Sequence, residues 1–342
     1  MFEGFANVWT PVVAARALRG KPLAVRLAGE PVVLFRDGGG RVGALIDRCP
    51  HRGVALSLGK VDARGCLECP FHGWAFDRGG ACVSVPLNDV PEARRARYAA
   101  TALPAREIGG LIWIFTGIDA AGTEPEPPPA LVDAGWSCWV HEEVWGAHWT
   151  RAMENMLDTP HVPFVHRRTI GRAMRARMKP DSRLSMTIEP VAWGARFHAE
   201  LDGVATGASL DWRRPNGMVL DIPIPDRGLR MHIYCVPIDD THVRMILVAA
   251  RTFLRHNPLG WLADQYNRLV LLEDRAIVQS SQPPEVPPPA DERSVASDGP
   301  TLHFRRYYYK DLRPSVAALV PATRLAGKAP VDGSPHTPQE AP

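Results

Sequence analysis

Four residues constrain this chain more than any others: Cys49, His51, Cys69 and His72. They stand in two short clusters, Cys49-Pro-His51 and Cys69-Pro-Phe-His72, with the seventeen residues 52 to 68 between them. Thiolates and imidazoles so placed are metal donors, and each cluster supplies one of each. A chain that uses all four must bring two separate loops to one point, on a support rigid enough to hold them side by side.

Two Cys and two His are the ligand set of a Rieske 2Fe-2S centre, in which one iron takes both sulfurs and the other both imidazoles. Imidazole donates less negative charge than thiolate, so this arrangement has a higher reduction potential than an all-Cys cluster. A structural zinc ion uses the same set, but usually takes its thiolate pair from one Cys-x2–4-Cys knuckle. Here each loop contributes one Cys and one His, which favours the iron–sulfur centre. Cys66 keeps the zinc reading open, because Cys66-Leu-Glu-Cys69 is itself a Cys-x-x-Cys close to His72.

A second constellation lies in Glu154-Asn-Met-Leu-Asp-Thr-Pro-His-Val-Pro-Phe-Val-His166, which gathers Asn155, Asp158, His161 and His166. Two imidazoles and a carboxylate form the facial triad of non-haem iron(II), which leaves positions open for dioxygen. His161 and His166 are five apart, so a regular helix of 3.6 residues per turn points them in different directions. Pro160 and Pro163 predict that the chain leaves helix here and turns back. Asp158 and His161, three apart, are expected as neighbours on one helical face.

Both stretches resemble the alpha subunit of the Rieske non-haem iron oxygenases, in the group of vanillate O-demethylase, dicamba monooxygenase and pheophorbide oxygenase. The resemblance implies an α+β fold: an N-terminal all-β Rieske domain, then a catalytic helix-grip domain with a curved antiparallel sheet and a long C-terminal helix. It implies that His161 and His166 hold the mononuclear iron together with an aspartate of that helix. The matching segment is Leu271-Leu-Glu-Asp-Arg-Ala-Ile-Val-Gln279, and by motif Asp274 is the ligand and Glu273 its neighbour. It implies a head-to-tail homotrimer in which Asp158 accepts hydrogen bonds from His161 and from the partner subunit's His72. Asn155 is placed near the iron by the same motif.

The helix is also legible without the resemblance. From Gly260 to Ser280, Trp261, Leu262, Tyr266, Leu269, Val270, Leu272, Glu273 and Ile277 recur at spacings of three and four, compatible with one buried stripe. Periodicity alone does not choose between Glu273 and Asp274, and adjacent acids are ordinarily a solvated face.

With 342 residues and 45% hydrophobic content, the chain can bury a sizeable core in two domains. Apolar runs at Leu23–Leu27, Pro31–Phe35 and Val42–Ile46, separated by turns such as Asp37-Gly-Gly-Gly40, read as a small antiparallel sheet, with Leu111–Phe115 as its closing strand. Thr123-Glu-Pro-Glu-Pro-Pro-Pro129 reads as a linker. The expected division is a 2Fe-2S domain over 1–120, a linker over 121–135, an iron domain over 136–322 and a disordered tail over 323–342. Strand-like runs between Leu184 and Phe253 supply the second sheet.

A net charge of +3 without a dense basic run argues against nucleic acid. No stretch reaches the roughly 18 apolar residues that would suggest a membrane span, and the N-terminus lacks the pattern of a secretory signal. With two of the six cysteines assigned to iron, the other four read as reduced core residues, and the expected location is cytoplasmic. Arg48, Arg52, Lys60 and Arg64 surround the first cluster and are expected to steer an acidic redox partner. His148, His198, His232, His242, His256 and His303 lack partners at ligand spacing and read as surface or satisfied core histidines.

The implied function is a terminal oxygenase that uses O2 at mononuclear Fe(II) to hydroxylate or demethylate a small organic substrate. Electrons come from NAD(P)H through a separate reductase or ferredoxin, since the chain has no Gly-x-Gly-x-x-Gly fingerprint. Two other classes stay open: a Rieske electron-transfer protein, which needs no second iron, and a zinc-stabilised small-molecule binding module.

Overall fold

The computed structural model describes residues 1–255 and 260–314; His256 and the expected tail lie outside the described residues. The N-terminal part consists of β1 (Trp9–Ala14), β2 (Leu23–Leu27), β3 (Glu30–Arg36), β4 (Val42–Ile46), β5 (Lys60–Val61), β6 (Leu67–Glu68), β7 (Ala75–Phe76), β8 (Cys82–Ser84), the single turn α1 (Glu92–Arg95), β9 (Ala102–Leu103), β10 (Ala105–Ile108) and β11 (Leu111–Phe115). These strands form three antiparallel sheets, ordered β1-β11-β10, β2-β3-β4-β9 and β5-β6-β7-β8. The three early apolar runs are β2 to β4. Leu111–Phe115 is a strand but does not close their sheet; it pairs with β1 and β10 in a sheet of its own.

Side chains alternate across a strand, and β3 uses both of its faces. Val32 and Leu34 enter the main core, while Val33 and Phe35 enter a second, smaller core with Leu45, Leu56, Leu67 and Phe76. Burial on both faces explains why Val32–Phe35 is continuously apolar rather than alternating. Cys49 and Cys69 belong to the smaller core, so the loops that carry them are anchored in packed apolar side chains.

The C-terminal part begins with β12 (Ser137–Trp145), followed by the helices α2 (Trp149–Leu157), α3 (Val162–Val165) and α4 (Arg172–Arg177). Then come β13 (Leu184–Val191), β14 (Gly194–Leu201), β15 (Val204–Arg213), β16 (Gly217–Ile224), β17 (Arg227–Pro237) and β18 (Val243–Arg251), followed by α5 (Gly260–Ser280) and α6 (Gly299–Tyr307). Seven strands form one antiparallel sheet ordered β12-β18-β17-β16-β15-β14-β13. Consecutive hairpins build it, and β12 closes the far edge against β18. Met231 and Ile233 of β17 face the cavity described below. The alternate residue Tyr234 packs edge-on against Trp113 of β11, with ring centroids 5.5 Å apart. Buried Asn216 donates to Thr10 Oγ1 across the same seam at 3.0 Å, and both parts share the main core.

The helix expected at Gly260–Ser280 is α5, but its inward face is not the one that apolar spacing suggests. Trp261, Leu262, Tyr266, Leu269 and Ile277 are exposed, whereas Asp264, Leu271, Asp274 and Val278 are buried. Asp264 pairs with buried Arg251, and Asp274 faces two imidazoles, so polar residues on the inner face have partners that make their burial tolerable. Among the described residues, no helix is long and apolar enough to cross a membrane.

Candidate functional site

The two Cys–His loops are built alike. In the first, Cys49 N donates to Val54 O at 2.8 Å and Gly53 N to Cys49 O at 2.9 Å. In the second, Cys69 N donates to Trp74 O at 2.8 Å and Gly73 N to Cys69 O at 3.0 Å. Gly53 and Gly73 hold φ of 75° and 70°, the left-handed region that glycine enters without steric cost. Each loop thus closes over its own cysteine, with His72 exposed and His51 half-buried. Asp47 braces the first, accepting from Ser57 N at 2.7 Å and Ser57 Oγ at 2.6 Å.

The loops bring the donors together by kind. Burial, together with the Cys69 sulfur beside it, pushes the Cys49 thiol well above its ordinary range. The His51 and His72 rings lie 4.6 Å apart; His51 stacks flat on Trp74 at 4.5 Å, and its Nδ1 is buried with no hydrogen-bond partner. Two sulfurs inside, two imidazoles outside and an orphaned ring nitrogen fit a two-iron cluster with one iron at each end. The Cys66 thiol, raised by burial, has Asp62, Arg64 and Asp77 as its charged neighbours. His72 and Phe71 are exposed at the tip.

The second constellation forms where α2 stops. Asp158 is the residue after α2 and is extended, with φ −91° and ψ 111°. It therefore does not share a helical face with His161, as its spacing predicts. Pro160 follows and precludes a regular continuation. Asp158 Oδ2 instead accepts from His161 N at 3.0 Å and lies 3.2 Å from His161 Nδ1, so one carboxylate caps the next turn and contacts the imidazole. Pro163 does not break that turn; it lies in the first turn of α3, where its missing N–H costs nothing.

His166 follows α3, and its carbonyl accepts from Gly171 N at 2.9 Å as the chain turns toward α4. His161 Nε2 and His166 Nε2 lie 3.2 Å apart, and Asp274 Oδ1 lies 3.4 Å and 3.2 Å from them. The three donor atoms fall within 4.8 Å of one another. Burial pushes the His166 imidazole down, but the Asp274 and Glu273 carboxylates outweigh it and raise its pKa. Two imidazoles turned toward one buried carboxylate oxygen form a site for positive charge, and the donor set fits non-haem iron. Asn155 Nδ2 donates to Asp274 Oδ1 at 3.2 Å and lies 3.4 Å from His161 Nε2, so Asn155 touches two of the three donors directly.

Glu273 is more than a neighbour. Its Oε2 lies 2.8 Å from His166 Nδ1 and accepts from Thr169 Oγ1 at 2.6 Å, which holds the ring from behind. A Glu next to the candidate ligand was the available signal, but sequence could not show which nitrogen it meets. Thr169 carried none. Of the other histidines, His148 caps α2 through Thr150 N, and His232 is fully buried with neither ring nitrogen hydrogen-bonded, unlike the satisfied core histidine expected.

The triad opens onto a cavity of about 430 Å³ between β14–β18 and the helices α2 to α5. The sequence reading left its lining unassigned, because residues distant in the chain converge on it.

Comparisons with known proteins match the two halves of the chain to two family models. Residues 8–95 match the family model described as the Rieske [2Fe-2S] domain, and residues 145–312 that of the vanillate O-demethylase oxygenase C-terminal domain. Similar proteins include chlorophyllide a oxygenase of Chlamydomonas reinhardtii, 30% identical over 82% of this chain and 44% of that protein. Another is the phthalate 4,5-dioxygenase oxygenase subunit of Pseudomonas putida, 29% identical over 70% of this chain and 58% of that one. The chain spans about half the length of the curated relatives it matches. Among solved structures, Pseudomonas putida CBB5 NdmA with caffeine superposes with a TM-score of 0.76 at 26% identity, covering 89% of this chain and 90% of that one. With one family model over the Cys–His loops and the other over the His–Asp triad, the chain belongs to the Rieske non-haem iron oxygenases.

Proposed function

We propose that this chain is a terminal oxygenase in which Cys49, His51, Cys69 and His72 hold a 2Fe-2S cluster and His161, His166 and Asp274 hold a mononuclear iron. The metal centres supply electron relay and reductive activation of O2. The chain's own residues bind, orient and shield. Glu273 and Asp158 each contact the Nδ1 of one imidazole and leave Nε2 turned inward, an arrangement that fixes tautomer and orientation. Asn155 holds Asp274 Oδ1, and the apolar cavity keeps water from the reacting face. The observation that carries this reading is the convergence of the three donors at the wall of that cavity.

The reaction is hydroxylation or demethylation of a small cyclic or aromatic molecule, a reading supported by the demethylase description of the matched C-terminal domain. Electrons come from NAD(P)H through a separate reductase or ferredoxin. Lys60 and Arg64 are already paired with Glu68 and Asp62, so exposed Arg48 and Arg52 are the better candidates for meeting an acidic partner. The assembly is a homotrimer in which Asp158 also accepts from the partner subunit's His72; exposed Phe71 and the exposed apolar face of α5 offer surface for such contacts. The Pro-rich stretch 121–135 joins the two functional parts. A cytoplasmic location fits six cysteines that are all unpaired.

The test is metal analysis with electron paramagnetic resonance on the anaerobically reduced protein. A Rieske signal plus one further iron per chain is expected, and His161→Ala should remove that iron and leave the signal intact. A Rieske signal with no further iron would make the chain an electron carrier, and zinc alone would make it a binding module.

A further inference from the structure

The cavity is chemically lopsided. Its sheet wall is built by buried side chains such as Phe197, Leu210, Met218, Met231, Ile233 and Leu247. Across from it, the segment entering and forming α4 adds Ile170, Ala173 and Met174 at helical spacing. Away from the metal donors and their neighbours, polar lining comes from Thr206, Asn267 and Arg177.

Arg177 is the one cation among the described lining residues, and it is exposed at the last position of α4. It lies near the β14–β15 turn, where its charge, with that of Lys179, helps hold the Asp202 carboxyl low beside backbone and hydroxyl donors from Arg183 and Ser182. An exposed cation beside an acid of the same chain gives little to a ligand's carboxylate. A carboxylate deeper in the cavity, away from the metal donors, would lose its hydration against hydrocarbon, with no buried lysine or arginine among the described lining residues to replace it. An ammonium group would lose hydration against the same wall, and away from the metal donors and their neighbours no described lining carboxylate replaces it.

We infer that the substrate is an uncharged, predominantly apolar molecule with a single polar group, such as a carbonyl, ether or hydroxyl, directed at Asn267 or Thr206. The inference rests on the oxygenase reading for the site's chemistry, but the binding preference follows from the wall itself. A cavity of this volume takes a drug-sized molecule and not merely a two- or three-carbon one.

Isothermal titration calorimetry on the metal-loaded protein tests it with matched pairs: 4-methoxytoluene against 4-methoxybenzoate, and 2-acetylnaphthalene against 2-naphthoate. The neutral member of at least one pair should bind about tenfold or more tightly than its acid. Arg177→Gln, on an exposed position, should change its Kd by less than about twofold. If neither neutral probe outbinds its acid, or if Arg177→Gln weakens the better ligand about tenfold, the assignment is overturned. The oxygenase reading fails separately: neutral ligands that bind preferentially to protein with intact iron content and Rieske signal, yet are never oxidised under chemical reduction and O2, would sink that reading and leave the binding class standing.

Discussion

Glu273 Oε2 lies 2.8 Å from His166 Nδ1, while Asp274 Oδ1 lies 3.2 Å from His166 Nε2, so two adjacent acids on α5 take the two nitrogens of one ring. Consecutive residues on a helix point about 100° apart, and His166 sits in the gap between them. One acid can then face the metal position while the other holds the ring by its far side.

Replacing Glu273 by Ala should lower iron affinity about 10- to 100-fold, because the ring loses its tautomer-fixing partner. Glu273→Gln keeps an oxygen that can accept from both Nδ1 and Thr169 Oγ1, and should retain most of the affinity. Iron retained in competition with a chelator measures both variants. Equal affinity in the Ala variant and the parent would reduce Glu273 to a surface acid.

Asp158→Asn should leave both metal contents unchanged and slow coupled turnover. An amide oxygen still caps the His161 N–H, so the turn survives, but the charge facing His161 Nδ1 is gone. Electron transfer from reduced cluster to iron, followed by single-turnover spectroscopy, is the measurement. A rate equal to that of the parent would leave Asp158 with a capping role only.

Gly171 is required by close approach. A Cβ there would stand 2.0 Å from Val162 O and 3.0 Å from His166 O, backbone atoms that cannot move without carrying the histidine along. Gly171→Ala should therefore cost iron occupancy as well as stability, whereas alanine at Gly146, where a Cβ meets nothing within 4 Å, should not affect the iron. Iron stoichiometry of the two purified variants decides it.

A buried ion network ties α2 to α6. Arg305 pairs with Glu154 and lies 2.5 Å from Glu292, and Arg151 bridges the same two acids at 3.2 Å and 2.8 Å. Glu154→Ala leaves Arg305 with Glu292 as its remaining acid and should destabilise the protein by about 1.5–3 kcal/mol. Replacing the pair together, as Glu154→Leu with Arg305→Met, should recover much of that loss. Denaturant midpoints of single and double variants measure the coupling, and additive losses would remove it.

What was legible in the sequence had a local signature. The β2–β4 runs and the helix α5 follow from apolar runs and spacing, and the metal stretches from donor spacing. What stayed hidden depended on tertiary register. The apolar spacing of α5 pointed to Trp261, Leu262 and Ile277 as its core face, yet these are exposed, because the interior needs Asp264 and Asp274 for partners on β18 and after α3. Asp158 read as helical because its spacing from His161 suits a helix, but Pro160 ends the helix and the contact is made through a cap instead. No local pattern could have assigned the cavity wall, to which five strands and four helices contribute.

His232 makes the protein's stability depend on pH. It is fully buried in β17 between Val219 and Val248, and burial, aided by the charges of Arg213 and Arg230, lowers its pKa from 6.5 to about 3. The unfolded chain therefore takes up this proton near pH 6.5, while the folded protein excludes it until about pH 3. Stability associated with the neutral ring is fully present above pH 6.5 and falls with pH through that window, by up to about 1.4 kcal/mol per unit. His232→Leu, which cannot take up a proton in either state, removes the term. Its unfolding midpoint should decline less steeply than that of the parent between pH 6.5 and 5, whatever constant offset separates the two at pH 8. Parallel curves over that range would mean that the imidazole is protonated, or hydrated, in the folded protein.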